Sequence, residues 1–249
     1  MKQVVKMCAL GMLALFAALA TTAYVYREND TELVDIMVAR SVVRLKGGGS
    51  VATGFAINHK GYKYVLTNNH VCEGLTELQA ERLGTFSNLT VLYKEEKTDL
   101  CLLTPVENMI PLVFYPFSKV YAKNFKSLGH PFGFEQVIST GRFVQTQIME
   151  TAAPFPPDQC PHKATEFKNV ENQAFRMLML ITGLKSLCLD IAIMNMYNMI
   201  TVPGNSGSPV YDGFGYVHGI ISQTMSGLFG IAVSNMEIQG FLNRYEKSL

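Results

Sequence analysis

Three short segments of the 249-residue sequence hold side chains that can do chemistry together. Thr67-Asn68-Asn69-His70-Val71 offers an imidazole, and Thr98-Asp99-Leu100-Cys101-Leu102 a carboxylate. Pro203-Gly204-Asn205-Ser206-Gly207-Ser208-Pro209 sets a hydroxyl among glycines. A serine hydroxyl is a weak nucleophile at neutral pH and needs a base within hydrogen-bond reach. Imidazole suits that task, with an unperturbed pKa of about 6.5. A carboxylate on its far nitrogen holds the tautomer that leaves the near nitrogen able to take the proton. His70, Asp99 and Ser206 are therefore read as base, orienting acid and nucleophile of an acyl-transfer triad. A developing oxyanion also needs backbone N–H groups aimed at one point, which calls for backbone angles that glycine reaches easily. The N–H groups of Gly204 and Ser206 are the expected pair. Singly, each residue has a plain structural reading as a turn, a satisfied histidine or a cap. The His, Asp, Ser order on strand ends carries the functional one. His59, His130, His162 and His218 lack such settings and are read as structural or solvent-facing.

These side chains must be held by short strands. β-Branched and aromatic residues punctuated by glycine predict strands over 41–46, 51–57, 62–67, 88–95 and 100–104. His70 then follows the third strand, and Asp99 opens the fifth. A second group covers 127–128, 137–147, 210–211, 216–224 and 229–233. The apolar stretch 175–189 is ambiguous between helix and strand, and the prolines of 152–161 exclude regular structure there. Ser234 and Glu237 form a capping-box pattern, and Ile238, Phe241, Leu242 and Tyr245 follow at helical spacing. Two β-rich halves and a last helix suggest a pair of barrels.

Composition sets the limits. Apolar residues make up 48% and charged residues 16%, the balance of a folded globular chain. The net charge is +1, with no basic run able to grip a phosphate backbone, so nucleic-acid binding is not expected. No cofactor or metal is expected either. Lys2 and Lys6 precede an apolar run from Met7 to Val25, and small residues lie at 18–20. Residues 1–25 read as a cleaved signal peptide or a retained membrane anchor, and 26–40 as a polar tether. Both alternatives place the remainder outside the cytoplasm: periplasmic, extracellular or membrane-anchored. Cys72, Cys101, Cys160 and Cys188 remain beyond this leader. Cys72 lies two residues after His70 and Cys101 two after Asp99, so contact between the catalytic pair favours Cys72–Cys101, leaving Cys160–Cys188 by default. Free buried thiols are the alternative. A zinc site from Cys160, His162 and Cys188 lacks a fourth ligand at the usual spacing.

The segments resemble those of trypsin-like serine proteases, and of the high-temperature-requirement branch in particular. Ala52-Thr53-Gly54-Phe55-Ala56-Ile57, Leu66-Thr67-Asn68-Asn69-His70-Val71, Ser127-Leu128-Gly129-His130-Pro131-Phe132-Gly133, Gly204-Asn205-Ser206-Gly207-Ser208 and 230–236 carry the likeness. It implies an all-β chymotrypsin-like fold of two antiparallel six-stranded barrels, with a C-terminal helix and the N-terminal apolar helix outside them. The protease domain would span 41–249, with a first barrel over about 41–122 giving His70 and Asp99. A second, over about 123–249, would give Ser206. Polypeptides would be the substrates. The branch usually carries a PDZ domain after the protease, and this sequence is read as lacking one. Ser208 and His130 stand where a glycine and an asparagine are usual. By resemblance, Ile200, six residues before the nucleophile, would line the base of the first substrate pocket. Ile221 and Ser222 would form its wall. No acid stands there, so a small or aliphatic residue is expected before the cleaved bond. A catalytically idle peptide-binding module and a non-peptide esterase are the competing readings.

Overall fold

Unbroken buried runs shape the first half, over residues 52–57, 65–67 and 100–103. A computed structural model of the chain describes residues 32–75, 77–116, 122, 124–153, 165–166 and 186–249. Strands β1 (Val42–Gly47), β2 (Ser50–His59) and β3 (Tyr62–Thr67) form an antiparallel meander. Gly48 and Gly49, with φ of 55° and 82°, make the two-residue turn between β1 and β2, whose hand matches strand twist. The hairpin β4 (Gln79–Arg82) and β5 (Thr85–Asn88) flanks β1, and β6 (Val91–Glu95) and β7 (Leu100–Leu103) flank β3. The sheet order is β5-β4-β1-β2-β3-β7-β6. A short helix α2 (Asn69–Gly74) follows β3.

The second sheet runs β10-β9-β14-β15-β16-β13-β11. Its members are β9 (Phe125–Gly129), β10 (Val137–Gly141), β11 (Phe143–Ala153), β13 (Ser186–Tyr197), β14 (Pro209–Tyr211), β15 (Tyr216–Met225) and β16 (Phe229–Ser234). Two short pieces attach at its sides: β8 (Val113–Phe114) on β15 and β12 (Thr165–Glu166) on β13. The described sheets therefore hold seven and nine strands, not six each. The hairpin β4–β5 was invisible because its strands mix Gln, Glu, Arg and Ser with few apolar residues. The stretch 150–200 supplies part of a long antiparallel pair, with β11 and β13 matched from Phe143↔Tyr197 to Ala153↔Cys188. Residues 186–189 are thus strand, while 175–185 and Cys160 lie outside the described residues.

Strand alternation sends neighbouring side chains to different cores. On β7, Cys101 and Leu103 enter the core inside the first sheet, with Val43, Leu45 and Val65. Leu100 and Leu102 enter a shared core between the sheets, with Phe55, Ile57, Leu128, Tyr211 and Val233. A third core, inside the second sheet, gathers Phe125, Tyr197, Met199, Val210, Ile221 and Ala232. The shared core fixes one sheet against the other, which is what a site between them requires.

Helices at both ends of the described chain reinforce that joint. The stretch read as a polar tether is helical over 32–39 (α1). Val34 and Val38, four apart, pack on the shared core, and Asp35 accepts hydrogen bonds from Lys126 (2.5 Å) and the Tyr211 hydroxyl (3.0 Å). The polar letters of that stretch hid this apolar pair. Helix α3 (Asn235–Ser248) starts at Ser234, whose hydroxyl accepts from the Glu237 N–H, the serine half of the capping box, while the Glu237 carboxylate accepts from the Ile193 N–H of β13 (3.1 Å) instead of closing the box. Its Ile238, Phe241, Leu242 and Tyr245 are buried, again as predicted. Phe241 is fully buried and packs against Tyr93 with ring centres 5.2 Å apart. Phe241→Ala is expected to cost about 3–5 kcal/mol, read as a lowered urea midpoint. Among the described residues no helix is long and apolar enough to cross a membrane. Residues 1–31, with the apolar run, lie outside them.

Candidate active site

The chain leaves β3 at Thr67 and turns into α2, which places His70 in the first helical turn. The β6–β7 turn ends at Asp99, whose φ is 52°. Asp is among the few non-glycine residues that take this left-handed conformation readily. Three hydrogen bonds join the two segments. His70 Nδ1 lies 2.9 Å from both Asp99 carboxylate oxygens. The His70 backbone N–H donates to Oδ1 (3.0 Å), and the Asn68 side-chain amide donates to the Asp99 carbonyl (3.1 Å). Asp99 Oδ2 also accepts from the Ser222 hydroxyl at 2.5 Å. A carboxylate accepts only, so Nδ1 carries the proton and Nε2 keeps its lone pair. The Asp99 side chain is 19% exposed and that of His70 48%, so the acid is shielded while the imidazole faces solvent.

A disulfide locks the same junction. Cys72 in α2 and Cys101 in β7 are bonded, with Cα atoms 6.5 Å apart. The expected pairing therefore forms, and it closes a loop that contains Asp99 and starts two residues after His70. The second expected pair includes Cys160, outside the described residues.

Ser206 arrives from the other sheet. Its carbonyl accepts from the Thr53 N–H of β2 (2.8 Å). The next N–H, of Gly207, donates to the Ile221 carbonyl (2.8 Å), beside the Ser222 that touches Asp99. The nucleophile position is thus tied to the first sheet on one side and to its own sheet on the other. Among the described residues the Ser206 hydroxyl has no hydrogen-bond partner.

The surrounding loop fixes its peptide planes. Phe132 N–H donates to the Pro203 carbonyl (2.8 Å), and Ser208 N–H to the Asn205 carbonyl (2.9 Å). In a planar trans peptide the N–H points away from the preceding carbonyl. Anchoring those two carbonyls therefore sets the directions of the Gly204 and Ser206 N–H groups, and neither N–H finds an acceptor among the described residues. Gly204 has φ of 98°, and a Cβ there would lie 2.3 Å from the His130 carbonyl, so only glycine fits.

Beside the His70–Asp99 pair, Met194, Ser222 and Gln223 of the second sheet face Asn69 and Glu73 across a cleft of about 450 Å³. The pocket residues fall differently from expectation. Ile200 is 62% exposed, whereas Thr201 and Met199 are buried. A Cβ on Gly230 would meet Thr201 Cγ2 at 2.8 Å, with Ile221 and Met199 at 3.2 Å. Thr201, Met199 and Ile221 therefore close around Gly230, while Ile200, expected at the base of the pocket, is exposed. Ile221 is 2% exposed and belongs to the second-sheet core, while Ser222 serves the carboxylate. That contact was not legible in the sequence, because it depends on two strands far apart in the chain.

Two of the remaining histidines are buried. His218 Nε2 lies 2.9 Å from Asp212, with both side chains under 5% exposed, so this second Asp–His pair cannot reach a substrate. Burial pushes the Asp212 carboxyl up, but hydrogen bonds from His218 and the N–H groups of Phe214 and Tyr216 outweigh it and hold it below its ordinary value. Burial pushes His130 down to about 4, and the Arg44 guanidinium adds to the effect. Between about 6.5 and 4 the unfolded chain therefore binds a proton at this residue that the folded chain refuses. The stability gained from keeping it neutral is present above pH 6.5 and lost as pH falls toward 4, by about 3 kcal/mol in all. Urea midpoints measured from pH 7 to 4 should fall more steeply in wild type than in His130→Asn.

Two antiparallel sheets with an Asp–His pair and a glycine-framed serine at their junction define a protein of the chymotrypsin fold class. The description of a trypsin-like peptidase domain matches residues 52–220. The chain belongs to that family of serine protease domains. It is 29% identical over 186 residues to a protein named a probable periplasmic serine endoprotease, DegP-like, from Marinomonas sp. (strain MWYL1). The match covers 72% of this chain and 31% of that protein, so the chain spans about a third of that relative's length. Among solved structures, the active form of the Rv3671c protease from M. tuberculosis superposes with a TM-score of 0.64 at 18% identity, over 85% of this chain and 83% of that one. The serine endoprotease from Yersinia pestis gives 0.60 at 16%, over 87% and 66%. These likenesses show the shared fold.

Proposed function

We propose that the chain is an exported serine endopeptidase that cleaves polypeptides through an acyl-enzyme on Ser206. The observation that carries this is the imidazole of His70, held by Nδ1 at 2.9 Å from Asp99 with Nε2 left free. Nε2 takes the Ser206 proton as the hydroxyl oxygen attacks the scissile carbonyl. The oxyanion then receives the N–H groups of Gly204 and Ser206. Collapse breaks the C–N bond, and the imidazolium returns the proton to the leaving amine. Water, deprotonated by the same nitrogen, attacks the acyl carbon and releases the carboxylic acid and the serine. The protease domain occupies 41–249, divided near 122. Export is supported by the Lys2 and Lys6 leader pattern, by the Cys72–Cys101 disulfide, and by the periplasmic naming of the relative. The residues around Gly230 carry no acid, which favours an apolar side chain before the cleaved bond.

A fluorophosphonate should label the protein once, and peptide mapping should find the phosphonyl group on Ser206. Casein should be cleaved by the unlabelled protein and spared by the labelled one. Labelling elsewhere, with casein turnover unaffected, would remove the nucleophile assignment.

A further inference from the structure

Gly204 supplies one N–H to the proposed oxyanion hole, and it is the loosest residue of the loop, because glycine has the widest choice of backbone angles. Something must hold it. Its carbonyl accepts from the hydroxyl of Thr53, on β2 of the opposite sheet, at 2.7 Å. The same hydroxyl oxygen accepts from the His130 N–H at 3.1 Å. With its single proton given to Gly204, the hydroxyl is directed by two fixed backbone groups. The Thr53 main chain is pinned as well. Its N–H donates to the Ser206 carbonyl (2.8 Å) and its carbonyl accepts from the Thr67 hydroxyl (2.8 Å). Thr53 is fully buried, and its β-branch restricts the hydroxyl to few rotamers. On the far side of the same peptide plane, the Asn205 N–H donates to the Val202 carbonyl (3.0 Å). The Gly204–Asn205 plane is thereby held at both ends, and Thr53 provides the only side-chain tie to it among the described residues.

We infer that Thr53 is a positioning residue for the reaction: its hydroxyl clamps the Gly204 carbonyl, in the peptide plane next after the one that carries the Gly204 N–H, and by limiting rotation about Gly204 it backs the Phe132–Pro203 bond in keeping that N–H aimed at the oxyanion. It touches no reacting atom and acts through the glycine backbone, from a strand of the first sheet. The inference rests on the protease reading and adds a determinant that the triad lacks.

The test compares wild type, Thr53→Ser, Thr53→Val and Thr53→Ala, with Ser206→Ala as control. Inactivation by a fluorophosphonate is resolved into a maximal rate and a half-saturating concentration, and folding is followed by circular dichroism. Losing a whole oxyanion donor costs about 10²–10³ in rate, so loosening one is expected to lower the maximal rate about 10- to 100-fold in the Val and Ala variants. The half-saturating concentration should stay within about threefold, because ground-state binding is untouched. Thr53→Ser keeps the hydroxyl and should recover most of the rate. Val and Ala variants that inactivate at the wild-type rate overturn the clamp. So does a Ser variant as slow as Val. If neither Val nor Ala folds while Ser is fully active, the hydroxyl serves the fold and the inference also fails. Wild type that resists the reagent, or Ser206→Ala that reacts equally, sinks the protease reading itself, a pattern none of the Thr53 outcomes produces.

Discussion

Ser206→Ala is expected to lower kcat for peptide hydrolysis by about 10⁶-fold while leaving the fold intact. The size follows from the chemistry. Without the hydroxyl no acyl-enzyme forms, and the remaining N–H groups can only assist a water molecule. The intact fold follows from the structure. The Ser206 hydroxyl has no hydrogen-bond partner among the described residues, so its loss leaves no buried group unsatisfied. Turnover of a chromogenic peptide and the thermal midpoint measure the two halves of this expectation. A variant retaining more than a hundredth of wild-type turnover would mean that the nucleophile lies elsewhere.

Asp99→Asn comes next, with kcat reduced about 10⁴-fold. Asp99 accepts from the His70 Nδ1 and backbone N–H and from Ser222, so both oxygens are occupied. An amide keeps one acceptor and turns the other position into a donor. If that donor faces Nδ1, the imidazole must carry its proton on Nε2, where it can no longer receive one from Ser206. If it faces Ser222 instead, the serine hydroxyl must turn away. KM should change far less than kcat, because the substitution keeps the size and shape of the side chain. Turnover within tenfold of wild type would show that His70 does not depend on this carboxylate.

The candidate segments stand out in the sequence because each combines a rare residue choice with a strand end. His70 follows β3, Asp99 precedes β7, and the glycines around Ser206 announce unusual backbone angles. The disulfide was legible for the same reason, since its cysteines shadow His70 and Asp99 by two residues. What stayed hidden depends on contacts across the sheets. Thr53 sits in an ordinary strand pattern, and only its partner on the Ser206 loop gives its hydroxyl a task. Ser222 alternates in β15 as any half-buried serine would. Ile200 is exposed while Met199 and Thr201 beside it are buried, a difference that only the strands packed around them decide. Helix α1 reads as a tether because two valines among charged residues are a faint signal until a core is there to receive them.

The crossing of the two outer helices has a consequence for biosynthesis. Helix α3 covers the first sheet: Tyr245 stacks edge-on against Tyr64 at 5.8 Å, and Arg244 forms a two-pronged ion pair with Glu95 at 2.7 Å. Helix α1 ties to β9 and β14 of the second sheet through Lys126 and Tyr211. A nascent polypeptide emerging from its amino end therefore cannot complete these contacts as each helix appears. The cover of the first sheet waits for residues near 245, and helix α1 waits for partners 91 and 176 residues further on. The joint between the sheets therefore consolidates only after both ends of the described chain have been made.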